Sequence, residues 1–265
     1  MLSVALREAG YRAAVFVSDA DRERELEDLY MLPEMGMAGA FFFPHYRFKN
    51  RQAFERFPLP LVALGRQIED FRRSTVTVNN PAVGRLAAEH LLKGGCDRCL
   101  YVGFHQEWPM VDQRLQGFRE ELARRGAILS NADVVLVKNG DVDAAMAQLA
   151  LRLQEGQERM GVFCYHDLLA SETLKLCRHF RLDVPKQVGI IGCDDLAITQ
   201  STTPTLSTIH YPYRRLSVMA VKAALEELQS CICRSQALEA YPRVIARQST
   251  ACITSAGIGG GIVER

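Results

Sequence analysis

The chain has 265 residues, 48% of them hydrophobic, and a formal net charge of +1 from 32 Lys/Arg against 31 Asp/Glu. That length allows one large or two small domains with a sizeable core, and the balanced charge argues against a chain that binds nucleic acid through its own field, which calls for a basic excess or patch. No apolar run reaches the roughly 18 residues of a membrane-crossing helix, and no basic-then-apolar leader opens the chain: Leu2, Ala5, Leu6 and Ala9 have helical spacing instead.

Short apolar runs then alternate with amphipathic stretches, the pattern of a βαβ series and a mostly parallel sheet. In chain order, strands are expected at Ala13–Val17, Ala40–Phe43, Leu61–Leu64, Thr75–Val78, Leu100–Val102, Val134–Val137, Gly161–Cys164, Val188–Ile191, Leu206–Ile209 and Val244–Ala246. Helices are expected between them. One spans Pro81–Leu92, capped by Asn80, opened by a proline at its first position and closed at Gly94-Gly95. Others span Arg114–Arg125, Asp167–Phe180 with a capping-type aspartate, and Pro212–Leu228. The glycine-rich stretch from residue 253 to 265 reads as a disordered tail.

Eight cysteines are scattered along the chain, and only Cys96/Cys99 and Cys231/Cys233 are close pairs. A zinc site needs a second pair at matching spacing, so no metal is expected and the cysteines read as reduced cytosolic thiols serving as small apolar residues. The chain has no G-x-G-x-x-G, Walker, G-x-S-x-G or H-E-x-x-H motif. Neither a cofactor nor an enzyme is indicated, although the carboxylates of His166-Asp167 and Asp194-Asp195 could in principle supply an acid and a base.

The most informative stretch is Val184 to Tyr213. Its apolar run, Val188–Ile191, stops at Gly192-Cys-Asp194-Asp195, which places carboxylates at the C-terminal tip of a strand, where open α/β sheets bind ligands. A proline-bounded return, Thr203-Pro-Thr-Leu-Ser-Thr-Ile-His210, follows. This segment resembles the effector-binding domain of the lactose-repressor (LacI/GalR) family of bacterial transcriptional regulators, which is similar to periplasmic sugar-binding proteins. Further resemblances occur in order at Val76-Thr-Val-Asn-Asn-Pro-Ala-Val-Gly84, Arg114-Leu-Gln-Gly-Phe118, Gly161-Val-Phe-Cys-Tyr-His-Asp167 and Arg247-Gln-Ser-Thr250.

The resemblance implies an α/β fold of two doubly wound parallel-sheet subdomains with a ligand cleft. The first would use residues 1–75 plus 207–230, and the second 76–206 plus 231–252. Met1 falls within what reads as the first helix, whereas the resembled family has a strand before that helix and a helix-turn-helix before the strand. The expectation is either a gene start placed too late, the favoured reading, or a degraded remnant of such a protein. Ala13–Val17 and Ala40–Phe43 would then lack their shared neighbour, with unpaired backbone groups in an apolar interior.

Candidate ligand residues come from the residue types together with the resemblance. Asp194 would accept hydrogen bonds from ligand hydroxyls, or cap the turn that follows, a role better suited to Asp195. Arg114 offers a rigid fork of donors suited to sugar oxygens or a carboxylate, and the family's matching arginine contacts effector. Trp108, the single tryptophan, suits the C–H face of a sugar or a hydrophobic plug under its loop. His166 stands where the family usually has asparagine and can likewise donate and accept. Asn79 and Tyr213 are lesser candidates. Val142 stands where some relatives have an aromatic, and Gly65-Arg66 departs from a frequent Asp-Arg, so the effector stays open.

The resemblance thus implies a cytoplasmic, homodimeric regulator that senses a small polar, sugar-like effector. It would contact DNA only through an N-terminal domain missing from this chain, and would have no membrane partner. The alternative is the solute-binding protein of a sugar transporter.

Overall fold

The computed structural model describes residues 1–19, 21–44, 51–68, 71–105, 109–155, 158–230, 232 and 235–251. The expected tail, Trp108 and the Cys231/Cys233 pair lie outside them. The elements are α1 (Leu2–Glu8), α2 (Arg22–Glu34), β1 (Ala40–Phe42), α3 (Arg51–Glu55), β2 (Leu61–Leu64), β3 (Ser74–Val78), α4 (Asn80–Lys93), β4 (Arg98–Phe104), α5 (Pro109–Arg124), β5 (Val134–Val137), α6 (Val142–Gln154), β6 (Met160–Cys164), α7 (Asp167–His179), β7 (Val188–Cys193), α8 (Ile198–Ser201), β8 (Ser207–His210), α9 (Tyr213–Ser230), β9 (Ala237–Ala240) and β10 (Arg243–Ile245). Every strand expected from Ala40 onward has its counterpart. None of the helices among the described residues is long and apolar enough to cross a membrane.

The chain divides into two compact units. One comprises residues 1–84, 106–117 and 210–243; the other comprises 85–105, 118–209 and the residues from 244. In the first, four parallel strands run in the order β1-β2-β3-β9. The period-two alternation of a strand explains why β2 is apolar throughout. Leu61 and Ala63 pack with Leu29, Phe54, Phe57 and Phe71, while Val62 and Leu64 pack with Val76, Ala220 and Ala223. Beside this core a buried ion pair joins Arg73 Nη1 to Glu227 at 2.6 Å, and the other end of the guanidinium donates to the carbonyls of Glu55 and Phe57. In α5, Gly117 lies against the backbone of Pro81, where a Cβ would overlap the carbonyl oxygen and come within 2.8 Å of its carbon. A glycine is needed here for close helix approach.

Four sequence expectations change in this unit. Residues 76–78 and the 237–240 strand were assigned to the second subdomain, but β3 hydrogen-bonds to β2 and β9 together, with Val76–Val78 in register with Leu238–Ala240. Arg114, also assigned there, belongs to the first unit with residues 106–117. The strand β9 itself, Ala-Leu-Glu-Ala, had no β signal; pairing along β3 overrides its weak propensity. Ala13–Val17 forms no strand, and Val15 and Val17 are 84% and 70% exposed. No described strand lies beside this segment, so a strand-forming composition has no ladder to join.

In the second unit six strands run in the order β10-β8-β7-β6-β4-β5, and β4, β6, β7 and β8 pair in parallel. The central strands β6 and β7 are buried along their whole length, which suits their near-continuous apolar sequence. Their C-terminal ends are tied together by one carboxylate. Asp167, fully buried at the start of α7, accepts from Thr208 Oγ1 of β8 at 2.6 Å and from the N–H of Leu196, in the turn after β7, at 2.8 Å. A Cβ on Gly192 would overlap its Oδ1, so the glycine of the Gly-x-Asp-Asp turn makes room for it.

Burial raises the pKa of Asp167 from 3.8 to about 7, against the opposing pull of the Thr208 and Leu196 hydrogen bonds; Asp194 and Asp195 add to the rise. The folded chain therefore holds this proton more tightly than the unfolded chain. The resulting stabilisation is full below pH 3.8 and falls away as the pH rises to about 7. Asp167→Asn keeps both hydrogen bonds, because the Thr208 hydroxyl can turn to accept from the amide. Denaturant titrations from pH 4 to 7 should show this variant losing less stability than the parent as pH rises, by an amount on the order of a few kcal/mol. Equal slopes would remove Asp167 as the titrating group. For the first unit, Gly117→Ala should lower the unfolding free energy by roughly 1–3 kcal/mol through overpacking, read as a reduced midpoint at unchanged slope in urea.

Candidate functional site

The second unit contributes the turn after β7. Asp194 has φ +110° and Asp195 φ +57°, a backbone region costly for side chains other than glycine and found most often at binding sites. The turn is held in that form by its neighbours. The N–H of Asp194 donates to Ile209 O at 2.9 Å, and the N–H of Asp195 donates to Thr208 Oγ1 at 3.3 Å. The Asp195 carboxylate pairs with Arg247 at 2.7 Å. Arg247 is in turn fixed by Thr199 Oγ1 and Leu206 O. Asp195 was expected to cap the turn that follows; its carboxylate pairs with Arg247, and α8 starts after Ala197 without a side-chain cap. Asp194, half-buried, is thus set at the tip of a central strand by a frame made of Asp167, Thr208, Asp195 and Arg247.

Beside this turn stands His166. Its Nδ1 accepts the N–H of Leu169 at 3.1 Å and so caps α7, the position expected for Asp167. An accepting Nδ1 requires the proton on Nε2. The ring lies against Phe104, 5.2 Å between centroids, and Tyr165 at 5.9 Å. An aromatic wall and a neutral imidazole therefore flank the carboxylate turn.

The first unit contributes Arg114, only 4% exposed. Its Nε donates to Asn80 Oδ1 at 3.0 Å, and its guanidinium carbon lies 5.6 Å from the centre of the Tyr211 ring. Asn80 is itself pinned, donating from Nδ2 to Val78 O at 3.2 Å. Tyr211 stacks on Tyr213, 4.6 Å between centroids, and Tyr213 is 44% exposed at the first turn of α9. Asn79, expected to meet ligand, has its side chain engaged at both ends. Its Oδ1 accepts from Ala82 N–H at 2.7 Å and its Nδ2 donates to Glu239 at 2.9 Å. Asn79 is therefore the cap expected of Asn80, and Asn80 the partner of Arg114.

The structure thus gathers Arg114, Tyr213 and Asn79 in the first unit and Asp194 and His166 in the second; Trp108 lies outside the described residues. Sequence reasoning missed Asn80, Tyr211 and the buried role of Asp167. The signal was present in Asn79-Asn80-Pro81, since only one of two consecutive asparagines can cap one helix, and in the doublet Tyr211-Pro212-Tyr213. Among the described residues no group of His, Cys, Asp and Glu is arranged to hold a metal. The thiols of Cys99, Cys164 and Cys177 are pushed up to about 12, chiefly by burial, which leaves them unreactive.

Residues 88–250 match the periplasmic binding protein-like domain family. The HTH-type transcriptional repressor PurR of Aliivibrio fischeri strain MJ11 is 26% identical over 249 residues, which cover 91% of this chain and 72% of the repressor. Among solved structures, the transcriptional regulator CelR in complex with cellobiose has a TM-score of 0.82 at 21% identity, over 94% of this chain and 76% of that one. A LacI family transcriptional regulator from Enterococcus faecium with bound ribose has a TM-score of 0.78 at 20% identity, over 96% and 92%. These structures share the fold of parallel α/β sheets, and the curated relative is a transcriptional repressor and not an enzyme. The chain belongs to the periplasmic binding protein-like family, as the effector-binding domain of a LacI-type transcriptional regulator.

Proposed function

We propose that this domain senses a small polar effector, a sugar or sugar derivative, in the cytoplasm. Effector binding is passed to DNA-binding heads, and the regulator works as a homodimer. The near-neutral charge of the chain leaves DNA contact to another part of the regulator. The observation that supports a sugar-like ligand best is Asp194. It is a half-buried carboxylate on a strained backbone at the tip of a central parallel strand, where such sheets bind ligands. Hydroxyl-rich ligands need such an acceptor, and they need donors in fixed directions, which the Arg114 guanidinium, immobilised by Asn80 and Tyr211, offers in a rigid fork. Cellobiose and ribose bound to the two solved relatives agree with that chemistry.

A regulatory response requires different affinities for two states, not tight binding alone. Asp194 and Arg114 are therefore proposed as the groups whose hydrogen bonds distinguish those states. His166 and Tyr213 flank them in their respective units, and Trp108 is kept as a stacking surface for the sugar face. Asn79 is proposed as a lesser ligand residue, through the orientation it gives its neighbour Asn80.

The test is a thermal-shift panel of pentoses, hexoses and β-linked disaccharides, followed by calorimetry with the sugar giving the largest shift. Asp194→Ala and Arg114→Lys should each weaken binding about ten- to a hundredfold, the loss of one charge-assisted hydrogen bond, with melting temperatures near that of the parent. Undiminished affinity in both variants would falsify this assignment.

A further inference from the structure

Three carboxylates meet at one strand end of the second unit, and they are stabilised unequally. Asp195 has a cation, Arg247, at 2.7 Å. Asp194 is half-buried and keeps a side open to solvent. Asp167 is fully buried, and its two donors, the Thr208 hydroxyl and the Leu196 N–H, are neutral. Both donors belong to the frame that carries Asp194. Leu196 lies in the same turn, and Thr208 Oγ1, which donates to Asp167, also accepts the N–H of Asp195 at 3.3 Å.

This relay can receive a proton with no change of backbone path. With a proton on Oδ1 of Asp167, Thr208 Oγ1 accepts it on its second lone pair and keeps the Asp195 N–H, while Oδ2 still accepts from Leu196. Titration of Asp167 therefore changes the charge beneath Asp194 and leaves the turn in place. Neighbouring carboxylates resist joint ionisation, and the more so as water is withdrawn from them. An effector seated on Asp194 withdraws that water. Its hydroxyls hold Asp194 ionised as their acceptor, and Arg247 does the same for Asp195. The proton that relieves the repulsion goes to Asp167, whose pKa of about 7 puts the exchange near neutral pH.

We propose that Asp167 makes effector affinity proton-dependent: the domain takes up a proton at this buried carboxylate when effector occupies Asp194, and it binds more weakly as the pH rises. The linkage rests on the proposed contact of Asp194 with effector. Its sign follows because a group that holds its proton more tightly in the complex than in the free chain favours the complex at low pH. That contribution is lost as the pH rises through the group's pKa in the complex. Other titratable groups stand at this end. The Cys164 thiol of β6, pushed up to about 12, stays neutral, and Cys193 ends β7. His166 caps the same helix, and His210 follows Ile209, whose carbonyl accepts the Asp194 N–H. The two histidines are the groups to be separated from Asp167.

The test is calorimetry of the 265-residue chain with D-ribose, D-glucose and cellobiose at about pH 6, 7 and 8.5. Affinity should fall about three- to tenfold from the lowest pH to the highest, the range for one acid whose proton is held severalfold more tightly in the complex. At about pH 7 the heats in phosphate and in Tris should differ in the sense of proton uptake. Asp167→Asn should bind with an affinity that does not vary with pH and a heat that does not vary with buffer. His166→Asn and His210→Asn should each keep the parent's pH slope, whatever their affinity. A purely structural Asp167 would leave its Asn variant weaker at every pH with the slope intact. That result overturns the proposal, as does a parent without a slope or a slope abolished by either histidine variant. Should Asp167→Asn fail to fold, the parent's buffer-dependent heat and the two histidine variants decide alone. No binding of any probe, or binding undiminished in Asp194→Ala, removes the effector contact and this linkage with it.

Discussion

The buried carboxylate of Asp167 is the constraint on which the second unit's functional end depends. Three strands end beside it. It begins the helix after β6, accepts from the turn after β7 and accepts from β8. An isolated charge in an apolar interior is costly, and here the cost appears as a pKa moved up to about 7. The hydrogen bonds from Thr208 and Leu196 make that burial tolerable and, in the same act, fix where the backbone turns. Asp194 and Asp195 then occupy left-handed conformations because Gly192, Thr208 and Arg247 leave the turn no other path.

The first unit achieves preorganisation by different means. Arg114 loses its usual freedom to Asn80 on one side and to the face of Tyr211 on the other. Its helix can approach α4 because residue 117 is glycine. A long cationic side chain held in one pose retains less entropy to lose on binding than a mobile one. The glycine three residues later lets the same helix pack against the backbone of Pro81.

The two sheets differ in completeness. The six-stranded sheet has its central strands covered on both faces and its edges occupied by short strands. The four-stranded sheet has a comparable core around β2, reinforced by the enclosed Arg73–Glu227 pair, and beside β1 it borders a large apolar cavity. Removing one partner of such an ion pair would leave an uncompensated charge and cost about 3–5 kcal/mol. Stability in this unit therefore rests on β2, β3 and α9.

Local pattern was enough to read the alternation of strands and helices, the parallel α/β class and the carboxylate-bearing tip at Asp194, because each is written in consecutive residues: apolar runs, glycine turns, a proline after an asparagine. Order along the chain was enough to show the family resemblance. Tertiary structure decided what depends on partners distant in sequence. It made a strand of Ala237–Ala240, because β3 offers a ladder, and denied one to Ala13–Val17, where no described strand lies alongside. It exchanged the roles of Asn79 and Asn80, since one of them meets Arg114 from 34 positions away. It also turned Asp167 from an expected cap into a buried tie and gave the cap to His166. In each case the residue's own chemistry permitted both outcomes, and desolvation together with the nearest available partner chose between them.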